Sequence, residues 1–235
     1  MTYLKNNCYL YMGNDIKEIG KVLCMYENEK RTVLKACMQM KEYNLISLSG
    51  GNISIRIDDD TYLVTPSGML YEDMDYEDIC VIDKDGNLKE GKRKPSSDYK
   101  ALLYIFEKRK DVNAIIHTHQ PYATAVGLVS DYLPATLVTL IDACKCNVKV
   151  APWTKSSDIG MGILAIDYLG DSNAVIMKHH GVITIGKDLN EALYGAIYLE
   201  EGAKTYCIAR MMDKVPELSE KEIQDELGGW DTYGQ

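Results

Sequence analysis

Between Ala114 and Ala125 the chain reads Ala-Ile-Ile-His-Thr-His-Gln-Pro-Tyr-Ala-Thr-Ala, an apolar run that passes at once into small residues behind a proline. A strand must end where a helix begins, because the apolar run suits a buried strand and Pro121 suits the first helical position. Side chains two apart in a strand share a face, so His117 and His119 leave that strand end side by side. That is ligand spacing. The chain holds four histidines, and the other two, His179 and His180, follow a second apolar run, Ala174 to Met177. Neutral imidazoles suit zinc and related divalent ions, and a catalytic zinc keeps three protein ligands and one open position. His117 and His119 supply two ligands, and one of the second pair supplies the third. His180 is the choice, since the residue beside the Gly181 turn can point inward while His179 keeps a packing or supporting role.

The rest of the chain alternates strands with helices. Residues 1–14 are unpatterned and read as an extension, and 15–235 read as one domain with a tail from about 213. Apolar residues recur at three- and four-residue steps from Asp15 to about Lys41, which predicts an amphipathic helix with a break near Glu27 and Asn28. Ile53 to Ile57 alternates as a strand, Asp58-Asp59-Asp60 turns it, and Tyr62 to Thr65 returns. Short strands follow at Ile79 to Ile82 and from Leu88. A helix is expected after Ser96-Ser97-Asp98, then the strand Asn113 to His117 and a helix from about Pro121 to Val129. Ala135 to Ile141 and Val148 to Val150 read as extended runs, Ser156-Ser157-Asp158 as the cap of a helix to about Leu169, and Val182 to Ile185 as a strand. Leu189 to about Met212 is the longest predicted helix, and the polar tail beyond Pro216 reads as fraying or as a cover for a neighbouring site. Interleaved strands and helices with hairpin-like neighbours predict an α/β fold: one layered domain whose central, mainly antiparallel or mixed sheet is flanked by helices.

Composition narrows the partners. With 26 basic and 35 acidic residues the formal charge is -9, which argues against a nucleic-acid or anionic-membrane surface. No stretch reaches the roughly 18 apolar residues of a membrane span and no basic run precedes an apolar one at the start, so a cytoplasmic location is expected. Seven scattered cysteines read as reduced thiols. Cys144 and Cys146 form the only close pair, and no second pair or histidine lies near them in sequence.

Three turns rich in glycine and hydroxyl groups precede the histidines: Gly51-Asn52, Ser67-Gly68 and Ser96-Ser97. Each exposes backbone N–H groups, and the last does so at a helix start, where an anion is favoured. Taken singly they are ordinary turns and caps. They make a phosphate cradle if the fold gathers them, and Asp98 then becomes a metal ligand or a base.

In order and separation, Gly51-Asn52-Ile53-Ser54, Thr65-Pro66-Ser67-Gly68, Lys94-Pro95-Ser96-Ser97-Asp98, His117-Thr118-His119 and His179-His180-Gly181 resemble the class II aldolase/adducin family. The resemblance runs from about Leu45 to Met212. It implies a sheet flanked by helices, a Zn2+ or related divalent ion held by His117, His119 and His180, and a phosphate held by Asn52, Ser67, Gly68, Ser96 and Ser97. A homotetramer with sites between subunits and a phosphorylated ketose substrate are implied as well. The chemistry implied is retro-aldol C–C cleavage through an enediolate.

Two branches of that family compete. Aspartate at Asp98, Asp142 after the extended run, and the terminal Tyr233-Gly234-Gln235 resemble the sugar-phosphate 4-epimerases, implying Asp98, Asp142 and Tyr233 as catalytic residues acting on L-ribulose 5-phosphate. Thr65-Pro66 is closer to the aldolases, which cleave a ketose 1-phosphate such as L-fuculose 1-phosphate into dihydroxyacetone phosphate and an aldehyde. The epimerase is the leading expectation and the aldolase the alternative. A related sugar-acid decarboxylase and an adducin-like binding module stand behind both, and the retained histidines weigh against the module.

Overall fold

The computed structural model describes residues 25–229. The expected extension, Cys8, Cys24, the N-terminal part of the first predicted helix and Tyr233 lie outside the described residues. Helix α1 (Glu27–Glu42) starts where the sequence predicts a break, with Tyr26 in a left-handed conformation before it. Strands β1 (Gly51–Asp58) and β2 (Thr61–Val64) form the expected hairpin, and β3 (Cys80–Ile82) and β4 (Leu88–Glu90) a second. There follow α2 (Tyr99–Lys108), β5 (Ala114–Thr118), α3 (Pro121–Val129), β6 (Tyr132–Leu133) and α4 (Val138–Cys144). The chain continues through β7 (Val148–Ala151), α5 (Ile159–Leu169), β8 (Ala174–Met177), β9 (Gly181–Gly186), α6 (Leu189–Met212) and α7 (Glu220–Gly229).

Among the described residues nine strands form one sheet in the order β4-β3-β2-β1-β5-β9-β8-β7-β6. Every pairing is antiparallel except β7 with β8. The α/β architecture expected from sequence, a mainly antiparallel sheet between helices, is therefore the one observed. Because successive side chains alternate faces, β5 is buried on both sides. Ile115 packs with Leu102, Ile105 and Phe106 of α2 and Met161 and Ala165 of α5. Ala114 and Ile116 pack on the opposite face with Val33 and Met40 of α1 and Ala192 and Ala196 of α6. His117 shares the parity of Ile115, so it belongs to the face beneath α2 and α5.

Two expectations are corrected. Residues 135–141 do not extend as a strand, since α4 begins at Val138. The β-branched Thr136, Val138 and Thr139 suggest a strand, but Leu140, Ile141 and Cys144 recur at helical spacing and are all buried. Leu140 and Cys144 join a core with Val126, Leu199 and Ala203, and that burial outweighs the weak local preference. Nor does the tail fray immediately after Pro216. Helix α7 docks Ile223, 3% exposed, against Ala135 and Ile141. Its start is a reciprocal cap in which Glu222 accepts from the Ser219 amide (2.7 Å) and the Ser219 hydroxyl accepts from the Glu222 amide (3.3 Å). The Ser-x-x-Glu spacing was the sequence signal for it.

Among the described residues no helix is long and apolar enough to cross a membrane. Cys37, Cys80, Cys144, Cys146 and Cys207 are all free thiols. Burial pushes the Cys144 thiol up to about 12, and among the described residues neither it nor Cys146 joins a metal-ligand cluster.

Candidate active site

Antiparallel pairing sets the start of β1 and the start of β9 on either side of the end of β5. In the β1 register Asn52 lies opposite His117 and Gly51 opposite Thr118. In the β9 register Ile183 lies opposite His117 and Val182 opposite Thr118. His180, one residue before β9, is thereby delivered beside the histidines that end β5. His179 makes the turn possible with φ 60, a left-handed backbone that costs a non-glycine residue on the order of 1 kcal/mol. Its own side chain is exposed while His180 is partly buried.

Gly181 is demanded by proximity, because a Cβ there would strike the Thr118 carbonyl oxygen and come within 2.8 Å of His119 Cδ2. Gly181→Ala should therefore cost about 1–3 kcal/mol from overpacking, read as a fall in Tm of about 3–10 °C. A melting temperature within a degree of wild type would show that β9 can shift freely.

The ligand atoms of His117, His119 and His180 all lie within 4.8 Å of one another. The Nε2 atoms of His117 and His119 are 3.0 Å apart. Nδ1–H of His117 donates to the Val182 carbonyl at 2.7 Å, which turns the Nε2 lone pair toward the other two rings. Burial, reinforced by the neighbouring imidazoles, pushes His117 down to about 3. Burial also lowers His119 and His180, with the Asp98 carboxylate acting the other way on both. Three neutral rings thus converge. Nδ1 of His180 is buried with no hydrogen-bond partner among the described residues. Converging neutral imidazoles, one with an orphaned nitrogen, fit a divalent ion of the zinc type.

Asp98 caps α2 by position and is 8% exposed. Its Oδ2 accepts from Asn52 Nδ2 at 2.8 Å, so the carboxylate that acts on His119 and His180 is held by the residue that pairs with His117 across the sheet. The hydroxyl-rich turns are indeed gathered. Ser96 N donates to Thr65 O, and Ser67 N donates to Lys94 O, both at 2.9 Å, with Pro66 bridged to Pro95. Gly68 needs its glycine for φ +69, not for room.

A cavity of about 500 Å³ opens over this cluster and is lined by Asn52, Ser97, Asp98, His117, His119 and His180 among the expected residues. Ser67, Gly68 and Ser96 lie in the paired turns and are not among the residues lining that cavity; Ser67 and Gly68 are exposed and Ser96 is buried. Asp142 is not brought to it within one chain. It sits on α4 in a second cavity with Tyr194, Tyr198 and Glu226, its pKa raised by burial and by Glu226.

The loop Trp153 to Ser157 forms another part of the lining and was missed in the sequence. Ser156-Ser157-Asp158 reads as a cap, yet Asp158 alone caps α5, accepting from Gly160 N at 2.8 Å. Both serines are thereby left for the cavity, and the redundancy of three capping residues was the available clue. Behind the site, Glu200 of α6 accepts from the Tyr122 and Ala123 amides at 2.9 and 3.0 Å. That carboxylate satisfies the free N–H groups at the start of α3.

Fold and site together define a helix-flanked antiparallel sheet with a three-histidine, one-carboxylate cluster over a cavity. The chain belongs to the family described as Class II Aldolase and Adducin N-terminal domain, whose profile matches residues 31–207, and it is an enzyme of the class II aldolase type. It is 30% identical over 212 residues to the 5-deoxy-D-ribulose 1-phosphate aldolase of Bacillus thuringiensis serovar kurstaki, covering 90% of this chain and 99% of the relative. It is 31% identical over 205 residues to the L-fuculose phosphate aldolase of Escherichia coli K12, covering 87% and 94%. A solved L-fuculose 1-phosphate aldolase superposes with a TM-score of 0.82 at 28% identity, over 87% of this chain and 96% of that one. These relatives favour the aldolase alternative over the epimerase expectation.

Proposed function

We propose that this enzyme is a divalent-metal aldolase, most simply a zinc one, which cleaves a ketose 1-phosphate into dihydroxyacetone phosphate and an aldehyde. The observation that carries the proposal is the Asp98 carboxylate held by Asn52 beside three converging neutral histidines. Relatives named as aldolases, matched along nearly their whole length, support the reaction. His117, His119 and His180 would hold the ion, which when bound supplies a Lewis acid for the substrate carbonyl.

The chain's own residues do the rest. Asp98 is proposed as the base, taking the proton of the hydroxyl on the carbon that becomes the aldehyde. The electrons of the broken C–C bond pass to the carbonyl, and the enediolate carbon then takes up a proton to give dihydroxyacetone phosphate. Asn52 orients Asp98 through its amide N–H. The gathered turns, with Ser67, Gly68, Ser96 and Ser97, are proposed to hold the phosphate through N–H and hydroxyl donors.

Asp142 and Tyr233, expected as catalytic residues of an epimerase, would serve here only from a neighbouring subunit of the expected homotetramer. Exposed Tyr194, Met211 and Met212 offer uncovered apolar surface for such an assembly. One domain from about residue 15 to 235 and a cytoplasmic location complete the reading.

The test is a panel of ketose phosphates given to the zinc-loaded protein. Dihydroxyacetone phosphate is expected from a ketose 1-phosphate such as L-fuculose 1-phosphate, lost on chelation and restored by metal. Conversion of L-ribulose 5-phosphate to D-xylulose 5-phosphate without cleavage of any 1-phosphate would return the epimerase. No turnover by metal-replete protein would sink both.

A further inference from the structure

We infer that Lys155 is the counter-charge for the substrate's phosphate, a binding residue added to a cradle otherwise built from neutral donors. The inference rests on the sugar-phosphate reading above and names a residue that reading does not use. Asp98 and Lys155 are the only Asp, Glu, Lys or Arg side chains among the described residues lining the cavity over the histidines. A phosphate monoester brings about two negative charges into a cavity that already holds the Asp98 carboxylate, on a protein of net charge -9. N–H and hydroxyl groups can donate hydrogen bonds to an anion but carry no full positive charge to offset that repulsion.

The loop that carries the lysine meets the proposed cradle at Ser97. Ser157, two residues on, has φ 61, and its hydroxyl donates to the Ser97 hydroxyl at 2.9 Å. The loop is therefore pinned to the cradle at Ser97, while Asp158 alone caps α5. Lys155 itself is exposed, and among the described residues no carboxylate lies within ion-pair distance of it. A cation with no ionic partner, on a loop tied to an anion cradle and lining the same cavity, is free to pair with the incoming phosphate.

The experiment compares wild type, Lys155→Met and Lys155→Arg, with Lys100→Met as a control that removes the same charge from the exposed face of α2. Two readouts are used: steady-state cleavage of the ketose 1-phosphate, and calorimetric binding of inorganic phosphate, which needs no turnover. Lys155→Met is expected to raise KM about tenfold to a hundredfold, the worth of a charged hydrogen bond, with kcat changed little. Phosphate affinity should fall in parallel, Lys155→Arg should restore most of both, and Lys100→Met should leave both near wild type.

A KM and a phosphate affinity within twofold of wild type in Lys155→Met would overturn the inference. So would a raised KM with unchanged phosphate affinity, since the lysine would then act on another part of the substrate. Absence of phosphate binding by wild type overturns it as well. Lys155-dependent phosphate binding by a protein that cleaves no sugar phosphate would leave the inference standing and remove the aldolase reading instead.

Discussion

Changing His119 to alanine is expected to remove bound divalent metal and to lower cleavage by at least about a thousandfold, roughly 4 kcal/mol of transition-state stabilisation. His119 is the informative member of the trio because as a residue it is exposed while His117 is 1% exposed. Truncating His117 would also strip the Val182 carbonyl of its side-chain donor and open a hole in the sheet. His117→Ala should therefore lose metal and melt lower, whereas His119→Ala should lose metal and melt near the metal-free wild type. Metal analysis of the two purified variants, with their melting curves, separates ligation from packing. Near-stoichiometric metal in His119→Ala would mean that the ion is held elsewhere.

Asp98→Asn should behave differently. The amide oxygen of the new side chain can still accept from Asn52 Nδ2, so the 2.8 Å contact survives. The metal site should stay loaded, since the three histidines are untouched. What is lost is a group able to take a proton, and general-base catalysis is worth about 10²–10⁴ in rate. The expected result is a kcat lower by that factor with bound metal within a few tens of per cent of wild type. Loss of metal in step with activity would make Asp98 a ligand, the other role open to it in the sequence.

Much of this site is legible in the sequence, and particular residues show why. His117 and His119 reveal themselves through the two-residue period of a strand, a property of local backbone geometry. Asp158 reveals the start of α5 through its capping chemistry. The helix at 138–144 was not legible, because its local β-branched residues point one way and its contacts with α6 and α7 the other. Lys155 and Ser157 were hidden for a related reason. Nothing near them in sequence says that Ser157 ties their loop to Ser97, sixty residues before it.

The choice between aldolase and epimerase shows the same division. Asp98 and the terminal tyrosine favour the epimerases by residue type alone. Within one chain Asp142 lines a different cavity from the histidines, and likeness along the whole chain runs to aldolases. Single residues at motif positions weigh less than two hundred aligned ones.

From sequence alone came the periods, the turns and the caps, and with them an α/β layered fold and two histidine pairs at strand mouths. Each depends on neighbours within a few residues, whose dihedral and hydrogen-bonding preferences are written locally. The tertiary structure decided which strand ends meet. Antiparallel pairing of β1 and β9 on either side of β5 places Asn52 opposite His117 and His180 beside it, and the burial of both sheet faces under α1, α2, α5 and α6 locks that register. A slip of one residue would turn His117 to the opposite face, so the energy that assembles the site is that of the long-range core, which no local stretch of sequence contains.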